Sequence, residues 1–324
     1  MSLKPFKGRR KHLFLSYLKD WLLVIILIVV FLVIDSIDPF FSEFPVQNRR
    51  LMYSLKNDTL SIGVLAVLAV VVPFIIIALV SIFLVRSPLD LHNGTLGLLV
   101  SVSFTIMITE IVKLTVGAHR PDFLAVCAPR EGAMDPPLGL SNLSVCTRPL
   151  DYLLKDAFKS FPSGHTSVGF AGLVYLSLYF AGKLQIFVLK TGYFYRGFIV
   201  VMPILGAFLI GVSRITDYKH HTWDVVIAAL IGTLFAFFAY HQYYPSLWSP
   251  HSGIPFEPRI AKRNELATND DISISQQLAA DYGSNEDNYQ LGNTSGTSGQ
   301  SFEMSNSRSQ ANNPSNDPIA AKVS

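Results

Sequence analysis

Six apolar runs, each near the ~20 residues a helix needs to cross a ~30 Å hydrocarbon core, constrain this chain more than any other feature. They fall at about 21–36, 62–85, 94–116, 166–181, 197–212 and 223–240. Backbone polar groups in lipid have no water to bond, so each run must satisfy its own N–H and C=O groups as a helix. Composition agrees: 50% of the residues are hydrophobic and 15% are charged, against about a quarter charged in an ordinary soluble protein. The expected fold class is all-α integral membrane, a six-transmembrane helical bundle with a disordered C-terminal tail. The expected organisation is a basic cytoplasmic N-terminus over 1–20, a six-span domain over 21–248 and a cytoplasmic tail over 256–324. No internal repeat and no second domain is visible.

The charge pattern orients the spans. Lys4, Lys7, Arg9, Arg10, Lys11 and Lys19 precede the first run against one acid, Asp20. Basic flanks stay in the cytoplasm, and the flank of the first span usually dominates. Cations counted over all inner and all outer segments balance, so the N-terminal cluster decides the topology. With six spans, both termini are then cytoplasmic. The first run lacks a small-residue cleavage pattern, so it reads as a retained signal anchor. The basic flank, which carries Phe6, Phe14 and Tyr17, reads either as a surface helix on an anionic leaflet or as an ordinary topogenic flank.

On the opposite side lies the long loop between the third and fourth runs, with both cysteines, Cys127 and Cys146. An oxidising lumen permits a disulfide between them, worth roughly 3 kcal/mol by loop closure; two free thiols is the alternative. Asn57-Asp-Thr and Asn142-Leu-Ser are glycosylation sequons on that same face. From about Phe256 onward Ser, Asn, Gln and Asp dominate, too polar to form a core. The Asn293 sequon falls in that cytoplasmic tail.

Three polar clusters stand at the ends of the apolar runs, all on the outer face: Lys113 to Pro121, Pro162 to His165, and Ser213 to Asp224. Ionisable groups at the edge of a bilayer are costly and mark functional sites by default. In the third cluster His220 and Asp224 are four apart and share a face if the last helix starts one turn early. A carboxylate accepting Nδ1–H would leave the Nε2 lone pair facing substrate and stabilise the cation formed on attack. The simpler role for Asp224 is a favourable first-turn dipole position. In the second cluster, Ser163 and the amides from Gly164 onward open a helix, which suits an anion. His165 beside them would protonate a leaving oxygen. The simpler reading is a cap made by Ser163 or Thr166. In the first cluster, Lys113 and Arg120 lie seven apart, on nearly the same face if the helix continues, and Pro121 ends the segment. Glu110 would hold Lys113 in an ion pair. Snorkelling for Lys113 and a surface position for Arg120 are the alternatives. With Arg214, the clusters supply three cations for a phosphoryl group, and such preorganised charge is usually the largest catalytic contribution. No carboxylate cluster or Cys/His pattern calls for a metal, and no cofactor is expected.

These motifs, in this order and between these spans, resemble the type 2 phosphatidic acid phosphatase superfamily. The run Arg120-Pro121-Asp122-Phe123-Leu124, Cys127, Phe161 to His165, and Asp217-Tyr218 with His220-His221 make the chain similar to its fungal diacylglycerol pyrophosphate and lipid phosphate phosphatases. The resemblance covers about residues 15–250. It implies His220 as a nucleophile forming a phosphohistidine, Asp224 as its orienter and His165 as general acid. Lys113, Arg120, Ser163, Gly164 and Arg214 would bind the phosphate. It also implies Mg²⁺-independent hydrolysis of phosphatidate, lysophosphatidate and diacylglycerol pyrophosphate. His119 and His221 flank motif positions without an assigned role. The expected partners are a membrane lipid phosphate and the bilayer itself, with no nucleic acid. The expected location is an endomembrane (vacuole, Golgi or ER) or the plasma membrane, with the site lumenal or extracellular. Sphingoid-base phosphates, polyprenyl pyrophosphates or glucose 6-phosphate would suit the same cup. A scaffold or transporter that had lost catalysis should lack a histidine or the aspartate, and this chain keeps all three.

Overall fold

The computed structural model describes residues 7–189, 192–257 and 273–274. Its helices are α1 (Lys7–Asp35), α2 (Ile62–Val85), α3 (Pro88–Val116), α4 (Phe123–Cys127), α5 (Tyr152–Asp156), α6 (Gly164–Leu184), α7 (Phe194–Thr216) and α8 (Thr222–Tyr243). Six of them, α1 from Leu15 onward together with α2, α3, α6, α7 and α8, are long and apolar enough to cross a membrane. Among the described residues there is no strand, only two isolated antiparallel bridges, Phe44 with Ser141 and Pro129 with Cys146. The tail expected to be disordered lies outside the described residues, apart from 256–257 and 273–274.

Hydropathy alone underestimates several helices. α3 begins at Pro88, before the expected start at 94, because Ser87 caps it by accepting the Asp90 N–H at 3.3 Å and proline suits the first helical position. The polar residues of its first turns are there for packing. Asp90 is fully buried and accepts from Ser81 Oγ at 2.8 Å, Tyr179 OH at 2.8 Å and Tyr244 OH at 2.9 Å, with the Lys183 ammonium beside it. This carboxylate therefore joins four helices or their ends, where a hydropathy window registers only an interruption.

α6 is the axis of the bundle. It has 78% of its apolar window buried, against 17% for α1 and 22% for α2, and it packs on α2, α3, α7 and α8. Without a hydrophobic drive between helices in lipid, such packing relies on small residues that let backbones approach. Gly172 lies directly against the Ala69 carbonyl of α2, and Gly232 of α8 lies against the Ser167 carbonyl of α6. Side chains on α1, α2 and α7 that point outward, such as Ile25, Ile75 and Phe208, are aliphatic or aromatic and exposed, as lipid-facing surfaces require.

Over the helix ends nearest Gly117 and Gly164 sits a small second core. Phe44, Phe123 and Phe158 pack edge to face around His119, with ring centroids between 4.5 and 5.3 Å apart. A disulfide joins Cys127 at the end of α4 to Cys146. The layer is fastened to α3 where Gly117 turns the chain with φ +59° against the Phe40 carbonyl, a position with no space for a Cβ. Phe40 N–H donates to Leu114 O at 2.9 Å. Asn57 and Asn142 are both exposed.

Two outcomes follow. Gly172→Val must push α2 away from α6, so we expect a loss of about 1–3 kcal/mol of stability, read as a lower Tm in detergent. His119 has its pKa pushed down to about 4, by burial first and by the His221 charge, against the bond to the Ser42 carbonyl. Its folded value is below its unfolded one, so its contribution is complete above about pH 6.5 and is lost as pH falls toward about 4. Tm measured across that window should fall less steeply for His119→Gln than for the parent protein.

Candidate active site

Lys113 stands in the last turn of α3, with Nζ 3.3 Å from Glu110 Oε2. The helix stops at Val116, so Lys113 and Arg120 do not share a continuous helical face as the spacing suggested. The turn at Gly117 swings Arg120 round instead, and its backbone N–H donates to Ala157 O at 3.0 Å. Asp156 of α5 grips the guanidinium with two contacts, at 2.6 and 2.9 Å. That leaves Arg120 Nε buried without a partner. A buried donor of that kind is a place for a ligand oxygen.

The second cluster forms the start of α6. Ser163 is its N-cap residue, fully buried, and its N–H donates to Asp224 O at 3.2 Å. Its hydroxyl accepts from Thr166 Oγ1 at 3.0 Å and makes no side-chain cap. A Cβ on Gly164 would lie 2.9 Å from Lys113 Nζ, so the ammonium sits against the helix N-terminus with only a glycine between them. Fixed positive charge and helix dipole thus point at the same spot. His165 Nε2 is 3.1 Å from the Leu60 carbonyl. A carbonyl only accepts, so Nε2 carries the hydrogen and Nδ1 is the free nitrogen.

The third cluster comes from the end of α7 and the turn before α8. Arg214 is buried, held by Asp217 Oδ2 at 2.6 Å and Asp58 Oδ1 at 3.2 Å. Thr59 fixes that Asp217 carboxylate with its N–H at 2.8 Å and its hydroxyl at 2.6 Å. α8 starts at Thr222, so His220 lies in the turn ahead of it. Its Nδ1 is 2.6 Å from the Ser160 carbonyl and 3.9 Å from Asp224 Oδ2. The direct bond expected between Nδ1–H and Asp224 is thus made to Ser160 O, with the carboxylate one step behind. Asp224 itself accepts from Ser160 Oγ at 2.6 Å and from His221 N–H at 2.9 Å. Its bond to Ser160 Oγ links it to the ring by way of that residue, and its bond to the His221 N–H closes the first turn of α8. Either way Nδ1 holds the hydrogen and Nε2 keeps its lone pair. Burial pushes the His220 pKa down to about 4, against the pull of Asp224, so the imidazole is neutral near pH 7.

Lys113, Arg120, Gly164, His165, Arg214 and His220 line one cavity of about 920 Å³. Ser163 and Asp224 are buried and support its wall from behind. Several participants have no motif to reveal them. Ser160 meets His220 across 60 positions of chain. Lys219 lines the cavity and is held by Asp122 at 2.7 Å; the aspartate after Arg120-Pro121 was the available signal. Lys159 bridges Glu110 at 3.0 Å and Asp35 at 3.3 Å. Burial lowers its pKa, yet the two carboxylates more than compensate and hold it above the usual lysine value. Among the described residues no three of His, Cys, Asp or Glu converge as a metal site.

Chemically, the site offers a neutral imidazole nitrogen, a second imidazole with one nitrogen free, and several fixed cations around one space. That is equipment for displacement at phosphorus. Comparison with known proteins points the same way. Residues 94–248 match the family model described as PAP2 superfamily. The chain is 40% identical over 261 residues to Lipid phosphate phosphatase 2 of Arabidopsis thaliana, covering 77% of this chain and 86% of that protein. It is 37% identical to Lipid phosphate phosphatase 1 of the same plant over 259 residues, 78% of this chain and 77% of the other. It is 33% identical to Diacylglycerol pyrophosphate phosphatase 1 of Saccharomyces cerevisiae over 249 residues, 74% of this chain and 83% of the other. No solved structure matches. Three separated clusters converging on one cavity, and relatives matched over most of their length, establish that the chain belongs to the PAP2 superfamily.

Proposed function

We propose that the protein is a membrane-embedded lipid phosphate phosphatase. It hydrolyses phosphatidate, lysophosphatidate and diacylglycerol pyrophosphate through a phosphohistidine and releases phosphate at the lumenal or exterior face. The observation that carries the reading is the pairing of two imidazoles across one cation-lined cavity, each with one nitrogen fixed by a backbone carbonyl. The relatives bear the matching names, lipid phosphate phosphatase and diacylglycerol pyrophosphate phosphatase.

In this mechanism the phosphoryl oxygens lie among Lys113, Arg120, Arg214 and the amides that open α6. His220 Nε2 attacks phosphorus as the bond to the leaving oxygen breaks. The negative charge of the bound phosphate draws a proton onto the free Nδ1 of His165, and the imidazolium so formed gives that proton to the leaving oxygen, keeping Nε2–H on Leu60 O. The diacylglycerol or lysolipid alcohol, or phosphatidate when the substrate is the pyrophosphate, then departs. His165, now neutral, takes a proton from water, the oxygen attacks the phosphohistidine, and inorganic phosphate leaves with His220 restored. Through Ser160, Asp224 stabilises the positive charge that the attacking ring acquires. The three cations supply the charge stabilisation a metal clamp gives elsewhere.

The same reading puts both termini in the cytoplasm, because the basic cluster precedes α1. Residues 21–248 are then the catalytic unit. The Cys127–Cys146 disulfide and the two exposed sequons fit an oxidising outer side.

Purified full-length protein should release phosphate from phosphatidate with EDTA present. His220→Ala should lose that activity at unchanged Tm, and a rapidly quenched parent enzyme should carry an acid-labile, base-stable phosphoryl group. Full activity in His220→Ala would sink the nucleophile assignment. Ser160→Ala removes the hydroxyl that links Asp224 to the ring's carbonyl partner. We expect kcat to fall by about tenfold or more with KM little changed, since the loss acts in the transition state.

A further inference from the structure

The cavity does not end at the charged cup. On α3 its lining residues are Val102, Ile106, Thr109, Glu110 and Lys113, which recur at helical spacing and form one stripe along one face. The stripe runs about 16 Å at 1.5 Å per residue, about half of a ~30 Å hydrocarbon core. Its character changes in order along that length. Glu110 and Lys113 are charged, Thr109 is a hydroxyl, and Ile106 and Val102 are aliphatic. Ser167 of α6 lines the cavity at the middle level, and its Oγ accepts from Thr109 Oγ1 at 3.0 Å. Leu65, Ala66 and Val70 of α2 and Val168 of α6 join the aliphatic part.

Along this stripe Ile106 and Lys113 keep part of their surface exposed, while Val102, Thr109 and Glu110 are buried. α1 and α2 each pack on α3, and among the described residues no helix packing joins α1 to α2. Its exposed lining includes Ile37, just past the end of α1, and Ile62, at the start of α2, with Phe31 of α1 half-buried beside them. A single space of about 920 Å³ therefore has a phosphate-sized cationic end, a hydroxyl band and an aliphatic floor, with a slot toward the surrounding lipid. A water-soluble phosphate ester leaves the aliphatic half without a substrate group. An acylated one fills all three levels and gains from the burial of its chain.

We propose that the slot between α1 and α2 holds an acyl chain of the substrate along α3, with Val70 and Val102 closing its deep end and so setting the preferred chain length. The ester region passes the level of Thr109 and Ser167, whose hydroxyl hydrogens already go to Ser167 Oγ and the Gly164 carbonyl. This deepens the proposed function and rests on it, since the headgroup must already occupy the cup.

The test uses the full-length parent protein and its variants in mixed detergent micelles at fixed surface concentration of substrate. The probes are dioctanoyl phosphatidate, dipalmitoyl phosphatidate and p-nitrophenyl phosphate. Val102→Phe and Val70→Phe shorten the slot. The expected result is a fall in kcat/KM of about tenfold for the dipalmitoyl lipid, with dioctanoyl lipid and p-nitrophenyl phosphate within about twofold of the parent. Val102→Ala lengthens the slot without crowding and should raise the dipalmitoyl-to-dioctanoyl ratio. If the Phe variants lose all three substrates alike, the Ala variant decides, and an unchanged ratio there overturns the proposal. Unchanged chain preference in every variant overturns it too. Failure of the parent to hydrolyse any lipid phosphate would instead remove the proposed function, so the two failures are distinguishable.

Discussion

Positive charge gathered at the edge of a bilayer must be neutralised where it stands, and that constraint shapes the end of the helical bundle where the cavity lies. Each cation lining the cavity has a carboxylate holding it: Glu110 for Lys113, Asp156 for Arg120, Asp38 for Lys155, Glu110 and Asp35 for Lys159, Asp217 and Asp58 for Arg214, and Asp122 for Lys219. Breaking a buried pair by removing one partner is strongly destabilising, because the other charge is left uncompensated. The carboxylates also fix direction. Asp156 takes the two terminal nitrogens of Arg120 and leaves Nε without a partner. Asp58 occupies Arg214 from a loop that also supplies the carbonyl for His165. The loop before α2 thus touches the second and third clusters together.

The second dependence is on α6. Its first turn carries His165 and the amides that open the helix, and its remaining length is the most enclosed of the six long helices. Glycines at its contacts with α2 and α8 bring those helices close, so the site at its N-terminus rests on the most enclosed helix of the six. The far end is fastened by the buried Asp90 cluster, where tyrosine hydroxyls and Lys183 share one carboxylate. Polar fastening at both ends with small-residue packing between them suits a medium that supplies no hydrophobic drive between helices.

Much of this was legible in the chain itself. Span number followed from apolar length, because the thickness of the hydrocarbon sets it. The clusters at Lys113, His165 and Asp224 stood out because charge is rare in such a composition. Helix starts were less legible: α3 opens with Asp90, His92 and Asn93, and the first two find partners in Tyr179 and Trp21, 89 and 71 positions away. The expected shared face of Lys113 and Arg120 failed for a local reason, since Gly117 adopts a left-handed conformation and ends the helix between them.

The sequence by itself determined how many helices cross the lipid, which side chains carry charge and which order the clusters take, since each follows from local composition and spacing. Only the tertiary structure decided who touches whom: that Ser160 stands between Asp224 and His220, that Leu60 fixes His165, and that the cavity continues along α3 between α1 and α2. Those contacts join segments dozens of residues apart. Periodicity along a chain reports which face of a helix is apolar, and it carries no record of which distant backbone carbonyl will meet a given ring.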